Sequence, residues 1–259
     1  MKEYYRHYLK EVGIVGVKLP LRVKRPPDLD ILLACTIDLL VSVTKYEKRM
    51  RLSKLQRSLV EILVSCSEGA FVEEIGEKIL DAVYEKDSFN HGTILFSFQY
   101  PLDKTTPISK YKLKELYSIT IKVEKIGKDY FKTTSVEVVG CTKCPHAGHE
   151  QRAFTKISFR TANRNEVLFG DLVKAAEESF SSNVNAIVRT TDERYLVEQR
   201  NKNKKFIEEV ARDTLTKLLD YCKHKNYKAE ITVESVADDS IHPFSVKAIA
   251  YKQISDSKQ

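Results

Sequence analysis

The hydrophobic pattern of the chain changes between a period of two and the helical period, and it does so in the same order twice. Alternation with a period of two is typical of a half-buried strand, whereas apolar residues three and four positions apart form one face of a helix. Two successive modules, 1–127 and 128–259, are therefore predicted, each with strand pairs flanking central helices. This order favours an α+β protein in which antiparallel sheets are covered on one face by helices.

The first module is expected to become regular only after its first prolines. The first 27 residues end in Lys24-Arg25-Pro26-Pro27, and two successive prolines interrupt backbone pairing. A buried strand is predicted at 31–44, and Ser53 is a candidate N-cap for the first helix. A second apolar stripe has helical spacing and consists of Phe71, Ile75, Ile79, Ala82 and Val83. Strands follow at 93–99 and 117–124.

The second module repeats this architecture with different residues. Its predicted strands lie at 135–139, 155–159, 229–235 and about 246–251, and its first helix lies at 168–180. A longer helix is indicated by the stripe Phe206, Val210, Leu215, Leu218, Leu219 and Cys222.

Composition excludes several classes of protein. With 259 residues, of which 42% are hydrophobic and 31% charged, the chain can bury a sizeable core. Its longest apolar run, Ile31 to Val43, is interrupted by Asp38 and falls short of the roughly 20 residues of a membrane helix. Signal-peptide flanks are also lacking, so we expect a soluble cytoplasmic protein without a membrane partner. Five thinly spread cysteines argue against a disulfide scaffold.

The charge balance indicates an anionic ligand. The net charge is +7 and the isoelectric point is about 9.0. Because both signs are mixed along the whole chain, nucleic acid is not expected as the partner.

The densest group of metal-ligating residue types follows a predicted strand. Residues 140–152 hold two of the five cysteines, Cys141 and Cys144, and two of the six histidines, His146 and His149. Four ligands so close together would close a tetrahedral zinc site only with difficulty. We therefore expect an open site in which Cys144 and His149 bind zinc or iron(II) and a third ligand comes from elsewhere in the fold. The alternative is a turn that merely contains these residues.

Two further polar stretches are ambiguous by themselves. The first runs from Thr191-Asp192-Glu193 towards a helix with Phe206-Ile207-Glu208-Glu209. Acidic residues at a helix start often only complement the helix dipole. The second, Asp238-Asp239-Ser240-Ile241-His242-Pro243, lies between two predicted strands, where a histidine is usually a surface residue.

In combination the three stretches resemble a known family. Cys-Pro-x-Ala and His-x-Gln-Arg are followed by Asp-Glu-x-Tyr-x-x-Glu, then by Lys-Phe-Ile-Glu and Ser-Ile-His-Pro. This order resembles the type IB GTP cyclohydrolases and their archaeal MptA relatives. The resemblance extends from Val15-Gly16-Val17-Lys18 to Ala248.

The resemblance implies a fold, an assembly and a reaction. It implies two tandem tunnelling-fold modules in each chain, in a homo-oligomer (dimer or tetramer) with active sites where subunits meet. A divalent metal, with iron(II) favoured over zinc and manganese(II), would activate water for attack on C8 of the guanine of GTP. Formate would leave, giving a 7,8-dihydroneopterin phosphate for pterin and folate biosynthesis. The 2',3'-cyclic phosphate of MptA enzymes is favoured over the triphosphate.

The same resemblance implies roles for individual residues. Cys144, His149 and Glu193 are identified as metal ligands, with Glu193 a ligand or a near neighbour. Glu208 is expected to hold the purine, because one carboxylate accepts two hydrogen bonds from the N–H edge of guanine. His242 would shuttle protons or act as an outer ligand, a role that suits the near-neutral pKa of imidazole.

Further roles are expected for residues that lie beside these ligands in the sequence. Gln151 and Arg152 are expected to line the substrate pocket, and His146 to act as a ligand or proton-transfer group in place of a family cysteine. Lysines and arginines across the subunit interface would bind the triphosphate.

Several positions depart from the family pattern. His146 replaces a cysteine, Arg51 a histidine, and Phe244 the second histidine of His-Pro-His, while Asp239 replaces a glutamate. Phe244 cannot exchange protons. Two alternatives therefore stay open. One is a diverged relative that binds or converts another purine or a pterin, and the other is a non-catalytic binding protein.

Overall fold

The fold is described from a computed structural model, which covers residues 9–25, 30–42, 52–65, 70–86, 89–162 and 167–254. Its strands are β1 (Glu11–Val23), β2 (Ile31–Ser42), β3 (His91–Thr105), β4 (Lys112–Ile126), β5 (Asp129–Lys143), β6 (Glu150–Ala162), β7 (Ser182–Asn183), β8 (Ala229–Asp238) and β9 (Ser245–Gln253). Its helices are α1 (Leu52–Ser65), α2 (Val72–Lys86), α3 (Phe169–Glu177), α4 (Thr190–Lys202) and α5 (Ile207–Lys225). The class is therefore α+β.

The strands form one large sheet. Hydrogen-bonded neighbours follow the order β1-β2-β3-β4-β5-β6-β8-β9, and the short β7 pairs with β5. The β1–β2, β2–β3, β6–β8 and β8–β9 pairs are antiparallel. Long strand pairs of this kind follow from the period-two alternation of the sequence, which buries every second side chain.

The chain divides into two compact units. The first contains residues 1–99, 120–133 and 162–166. In this unit α2 buries one apolar face, and a Cβ atom added at Gly76 would come within 2.8 Å of Val123 on β4. This close approach places the helix directly on the sheet.

The second unit contains residues 100–119, 134–161 and 167–259. Its helix α5 packs against β8 and β9 and buries residues that include Val210, Leu218 and Cys222. Buried strand residues such as Ile157 and Ile231 complete this core. All segments of the candidate active site belong to this unit. The predicted module boundary at residues 127 and 128 stays a prediction.

The predicted elements within the described residues are present, but two expectations were wrong. Ser53 does not cap the first helix, because α1 begins at Leu52 and already includes Ser53. Regular structure does not begin after Pro27, because β1 already occupies Glu11–Val23 and pairs with β2 along its length. Pro20 lies inside this strand, opposite Ala34. Proline is tolerated there because β1 is an edge strand, where one row of N–H groups has no sheet partner.

The described residues also bear on two simpler expectations. The cysteines Cys35, Cys141, Cys144 and Cys222 are free thiols. None of the described helices is long and apolar enough to cross a membrane. Arg51, one of the departures from the family pattern, lies outside the described residues.

Candidate active site

Cys144 and His149 stand at the two ends of one closed turn. The turn begins directly after β5 and leads into β6. The N–H of Cys144 donates to the carbonyl oxygen of His149 at 2.9 Å, and the N–H of Gly148 donates to the carbonyl oxygen of Cys144 at 3.0 Å. Gly148 has a φ of +75°, a left-handed conformation that glycine adopts without steric cost. The backbone thus brings the predicted thiol and imidazole ligands close together.

The turn also favours the thiolate form of Cys144. The N–H of Ala147 donates to its Sγ at 3.4 Å. This bond, with those from the N–H groups of His146 and Gly148, lowers the pKa of the thiol below its ordinary value of 9.0. A thiolate is the form of cysteine that binds metals and acts as a nucleophile.

His149 has one ring nitrogen facing polar groups and one without a partner. Its Nε2 lies 3.8 Å from Oδ1 of Asp239 and 3.4 Å from Nε2 of Gln151. Its Nδ1 is buried and forms no hydrogen bond with any described residue. A buried imidazole nitrogen without a partner is costly, unless it binds a group that the protein alone does not supply. Together with the thiolate, this nitrogen is a suitable donor pair for zinc or iron(II).

Asp239 connects His149 to the β8–β9 hairpin. Its carboxylate accepts the N–H of Ile241 at 2.9 Å, and this bond is the main reason that its pKa is lowered. A hydrogen bond from Gln151 and the charges of His242 and His149 lower the same pKa further. The ionised form of Asp239 is therefore favoured beside His149. Carboxylates in this position commonly orient the histidine ligands of metals.

The hairpin carries His242 on its exposed tip. The imidazole of His242 stacks on the ring of Phe244, with centroids 5.0 Å apart and planes at 4°. Both residues are exposed. The position at which the family pattern has a second histidine therefore supplies a flat aromatic surface beside the first.

The start of α5 lies next to the Cys144 turn. The N–H of Lys205 donates to the carbonyl oxygen of Lys143 at 3.0 Å, and the rings of His146 and Phe206 are 5.5 Å apart. The carboxylate of Glu209 accepts the N–H of Phe206 and caps the helix. Its neighbour Glu208 is exposed and forms no side-chain hydrogen bond or ion pair within the described part of the chain. That carboxylate is available to a ligand.

Glu193 lies on the first turn of α4, and its neighbour Asp192 anchors that turn. The Asp192 carboxylate is fully buried and accepts the N–H groups of Ile108, Ser109 and Arg189 as well as the Ser109 hydroxyl. Although burial raises the pKa of this carboxyl, these hydrogen bonds outweigh burial and leave the pKa well below its ordinary value. Glu193 itself is exposed, and no contact with Cys144 or His149 is formed in the described structure.

A small open cavity adjoins this turn. Its volume is about 210 Å³, and it is lined by Gly140, Cys141, Glu150, Gln151, Arg152, Val184 and Arg200. Gly140 is required here, because a Cβ atom at this position would come within 2.2 Å of the Phe180 ring. Two guanidinium groups and an amide give the cavity the donors that an anionic ligand needs.

The structure thus gathers some of the predicted residues and leaves others apart. Cys144, His146 and His149 share one turn, and Gln151 lies between His149 and Asp239. Glu193 and Glu208 lie on separate helices. Among the described residues, no three His, Cys, Asp or Glu side chains are grouped closely enough to hold a metal ion. The roles assigned to these residues stay predictions.

Sequence reasoning gave no site role to four residues that contact this region. Asp192 is the first residue of the Asp-Glu-x-Tyr motif, and Asp239 replaces a glutamate of the family pattern, so their positions carried a signal. Glu150 directly follows the candidate ligand His149. Arg200 had no signal, because its ion pair with Glu150 joins positions 50 residues apart.

The family comparison matches nearly the whole chain. A sequence model described as "Type I GTP cyclohydrolase folE2" matches residues 1–248. A protein of Pyrococcus abyssi named GTP cyclohydrolase MptA is 28% identical over 229 residues, which is 83% of this chain and 84% of that protein. A protein of Dictyoglomus turgidum named GTP cyclohydrolase FolE2 is 28% identical over 97% of this chain and 95% of its own length.

Solved structures with the same overall fold are more distant in sequence. Uricase from Arthrobacter globiformis superposes with a TM-score of 0.58 at 11% identity, covering 96% of this chain and 95% of that one. A uricase from Bacillus fastidious gives a TM-score of 0.56 at 11% identity over 95% and 94% of the two chains. At such identities the likeness concerns the fold alone.

Proposed function

Since the chain belongs to the family of type I GTP cyclohydrolases, we propose that it opens the imidazole ring of GTP and releases formate in a metal-dependent reaction. The single observation that supports a metal at this site is the buried Nδ1 of His149, which has no hydrogen-bond partner in the described structure, one turn from a thiol of lowered pKa. The product would be a 7,8-dihydroneopterin phosphate, with the 2',3'-cyclic phosphate favoured over the triphosphate.

In this proposal Cys144 and His149 hold the metal, and Glu193 is the third ligand. Their donor atoms, a thiolate, an imidazole and a carboxylate, suit zinc or iron(II). The family resemblance favours iron(II) over zinc and manganese(II). When bound, such a metal supplies a water whose pKa is lowered towards neutrality. Asp239 orients the imidazole of His149 from the opposite ring nitrogen, 3.8 Å away.

Glu208 would fix the orientation of the guanine. Its carboxylate is exposed, whereas the neighbouring Glu209 is occupied in capping α5. One carboxylate accepts two parallel hydrogen bonds from the guanine N–H edge, which holds C8 in a defined position. The contact of Phe206 with His146 keeps this helix end beside the ligand turn.

His242 would move protons during ring opening. It lies on the hairpin that Asp239 connects to His149, and its ring is held by the parallel stack with Phe244. An imidazole can both accept and donate a proton during a reaction. His146, exposed at the other side of the turn, is the second candidate for this role.

Cationic side chains would bind the phosphates. Arg152 lines the cavity beside Gln151, and a guanidinium binds phosphate oxygens in a bidentate manner. Arg200 lines the same cavity, but its Nη1 and Nε already donate to Glu150 and Ser182. We propose further that the protein is a homo-oligomer of two tandem tunnelling-fold modules per chain, located in the cytoplasm, with its sites at subunit interfaces. The exposed Glu208 would then face a neighbouring subunit.

One observation favours a second candidate function. Phe244 has no proton to exchange, and its ring lies flat on His242 at the position of a family histidine. A protein that binds a pterin or another purine without the complete reaction would retain Glu208 and tolerate this change. Tighter binding of a pterin than of GTP would favour this candidate.

Substitution of the proposed ligand His149 tests the metal-dependent reaction. His149→Ala is expected to lower both the metal affinity of the protein and its rate of formate release from GTP. His224→Ala is the matched control, because His224 is an exposed histidine in the last turn of α5. Full turnover and unchanged metal affinity of the His149→Ala protein would refute the proposed ligand.

A further inference from the structure

Glu150 lies at the centre of an ion-pair cluster beside the candidate site. Its Oε1 accepts Nζ of Lys143 at 3.1 Å, and its Oε2 accepts Nη1 of Arg200 at 2.8 Å. Arg200 also donates from Nε to the Ser182 hydroxyl at 2.8 Å. The Lys143 and Arg200 side chains are only 15% and 19% exposed, so the cluster is partly shielded from water.

The three members of the cluster lie on the three segments that carry the proposed metal ligands. Lys143 ends β5 and precedes Cys144, whereas Glu150 begins β6 and follows His149. Arg200 lies on α4, seven positions after Glu193. Helix residues seven apart share one face and are separated by about 10 Å along the axis. One carboxylate thus connects the thiol segment, the imidazole segment and the helix of the third ligand.

Backbone hydrogen bonds that do not involve Glu150 fix the main chain at Lys143. The N–H of Lys143 donates to the Ser181 hydroxyl at 3.1 Å, and its carbonyl oxygen accepts the N–H of Lys205. The Lys143 side chain is therefore anchored at its base. Movement of α4 relative to the ligand turn would require the Arg200–Glu150 ion pair to break.

From this geometry we propose that Glu150 is a positioning residue, which holds α4 and its Glu193 in register with the Cys144–His149 turn. This inference rests on the proposed function, since Cys144, His149 and Glu193 are its metal ligands. Glu150 itself does not bind the metal; its carboxylate is occupied by Lys143 and Arg200. It acts by reducing the reorganisation that metal binding requires.

The test is the metal affinity of the full-length protein, measured with iron(II) or manganese(II) added to metal-free protein against a competing chelator. Outer residues that orient metal ligands typically change metal affinity by about 10- to 100-fold. Glu150→Gln keeps the size of the side chain and removes its charge, and we expect affinity to fall about 10-fold. Wild-type affinity in Glu150→Gln would overturn the proposal.

A matched control is available on the neighbouring strand β8. Glu230 accepts Arg160 of β6 at 3.3 Å and is about as exposed as Glu150, with side-chain exposures of 37% and 34%. Glu230→Gln is expected to leave metal affinity unchanged, and an equal loss in this variant would overturn the proposal. If Glu150→Gln does not fold, Arg200→Gln decides, because it breaks the same link to α4. Weaker metal binding in Arg200→Gln supports the proposal, and wild-type binding overturns it.

Two further variants separate this inference from the proposed function. If Cys144→Ala and His149→Ala bind metal like the wild type, the ligand assignment fails. If both lose the metal while Glu150→Gln keeps it, only the positioning role fails. The double variant Glu150→Gln/Arg200→Gln should lose no more affinity than Arg200→Gln alone, because both changes break the same link.

Discussion

Replacing Glu73 by alanine should destabilise the protein strongly. Glu73 lies on the first turn of α2, and its carboxylate accepts Nη2 and Nη1 of Arg25 at 2.8 and 3.0 Å. The two side chains are only 2% and 1% exposed. Glu73→Ala removes the carboxylate that accepts both of these hydrogen bonds, and breaking a buried ion pair by removing one partner is costly.

The magnitude follows from the two bonds and the burial. Each hydrogen bond between charged groups contributes about 1.5 to 3 kcal/mol, and removal of one partner of a buried pair costs about 3 to 5 kcal/mol in total. The Phe71 ring, 6.0 Å from the guanidinium, offsets only a small part of this cost. We therefore expect the free energy of unfolding to fall by about 4 kcal/mol.

Urea denaturation of the wild type, of Glu73→Ala and of a control variant measures this change in the free energy of unfolding. The control is Glu178→Ala, which breaks exposed ion pairs with Lys217 and Lys174 and should cost less than about 1 kcal/mol. The double replacement Arg25→Met/Glu73→Leu should be closer to the wild type than Glu73→Ala, because no charge stays buried. If the Glu73→Ala protein were no less stable than the Glu178→Ala protein, the inference that the buried Arg25–Glu73 ion pair stabilises the fold would be wrong.

Three further predictions concern the second unit. Asp192→Asn should lower stability at neutral pH. Since the folded pKa of Asp192 is depressed, its stabilisation is present above about pH 4 and is lost as pH falls through the folded pKa, so the two proteins should converge in acid. In metal-free protein at about pH 8, iodoacetamide should modify Cys144 at least roughly 100-fold faster than Cys222, whose pKa burial raises to about 11. Glu208→Gln should lower kcat/KM for GTP roughly 100-fold, because it weakens two charged hydrogen bonds to guanine.

Each of these predictions has a contradicting result. A stability difference between Asp192→Asn and wild type that persists unchanged to about pH 2 would mean that the carboxylate is not the stabilising form. Equal alkylation rates of Cys144 and Cys222 would contradict the lowered thiol pKa. Glu209→Gln is the control for loss of the α5 cap, and it should lower only the stability of the protein. A wild-type kcat/KM in the Glu208→Gln protein would exclude Glu208 from guanine binding.

Local patterns were sufficient for most of the fold. The stripe of α2 and the alternation in β8 each bury one face, so hydrophobic period alone located them. The strand β1 was missed because Pro20 and the Pro26-Pro27 pair indicate a break in regular structure. This segment forms a strand because β2 pairs with it along its length. Edge position is a property of the whole sheet, and no local pattern contains it.

The site was predictable where its members are neighbours in sequence. Cys144 and His149 are five positions apart, and a turn after a strand brings them together whatever the rest of the chain does. The sequence marked Asp192 as part of a motif at a helix start, where acidic residues often complement the helix dipole. In the structure its carboxylate accepts backbone N–H groups 83 and 84 positions away. Such contacts depend on how separate elements pack, and the sequence near Asp192 does not record that packing.

We propose that this chain releases formate from GTP with a metal at the Cys144–His149 turn. The most direct measurement is anaerobic incubation of metal-free protein with GTP and iron(II), manganese(II) or zinc, with formate and the pterin product followed by mass spectrometry. We expect one formate per GTP consumed, only with metal, and the 2',3'-cyclic phosphate of 7,8-dihydroneopterin as product. Absence of formate with all three metals, in protein that binds a pterin more tightly than GTP, would contradict the proposal.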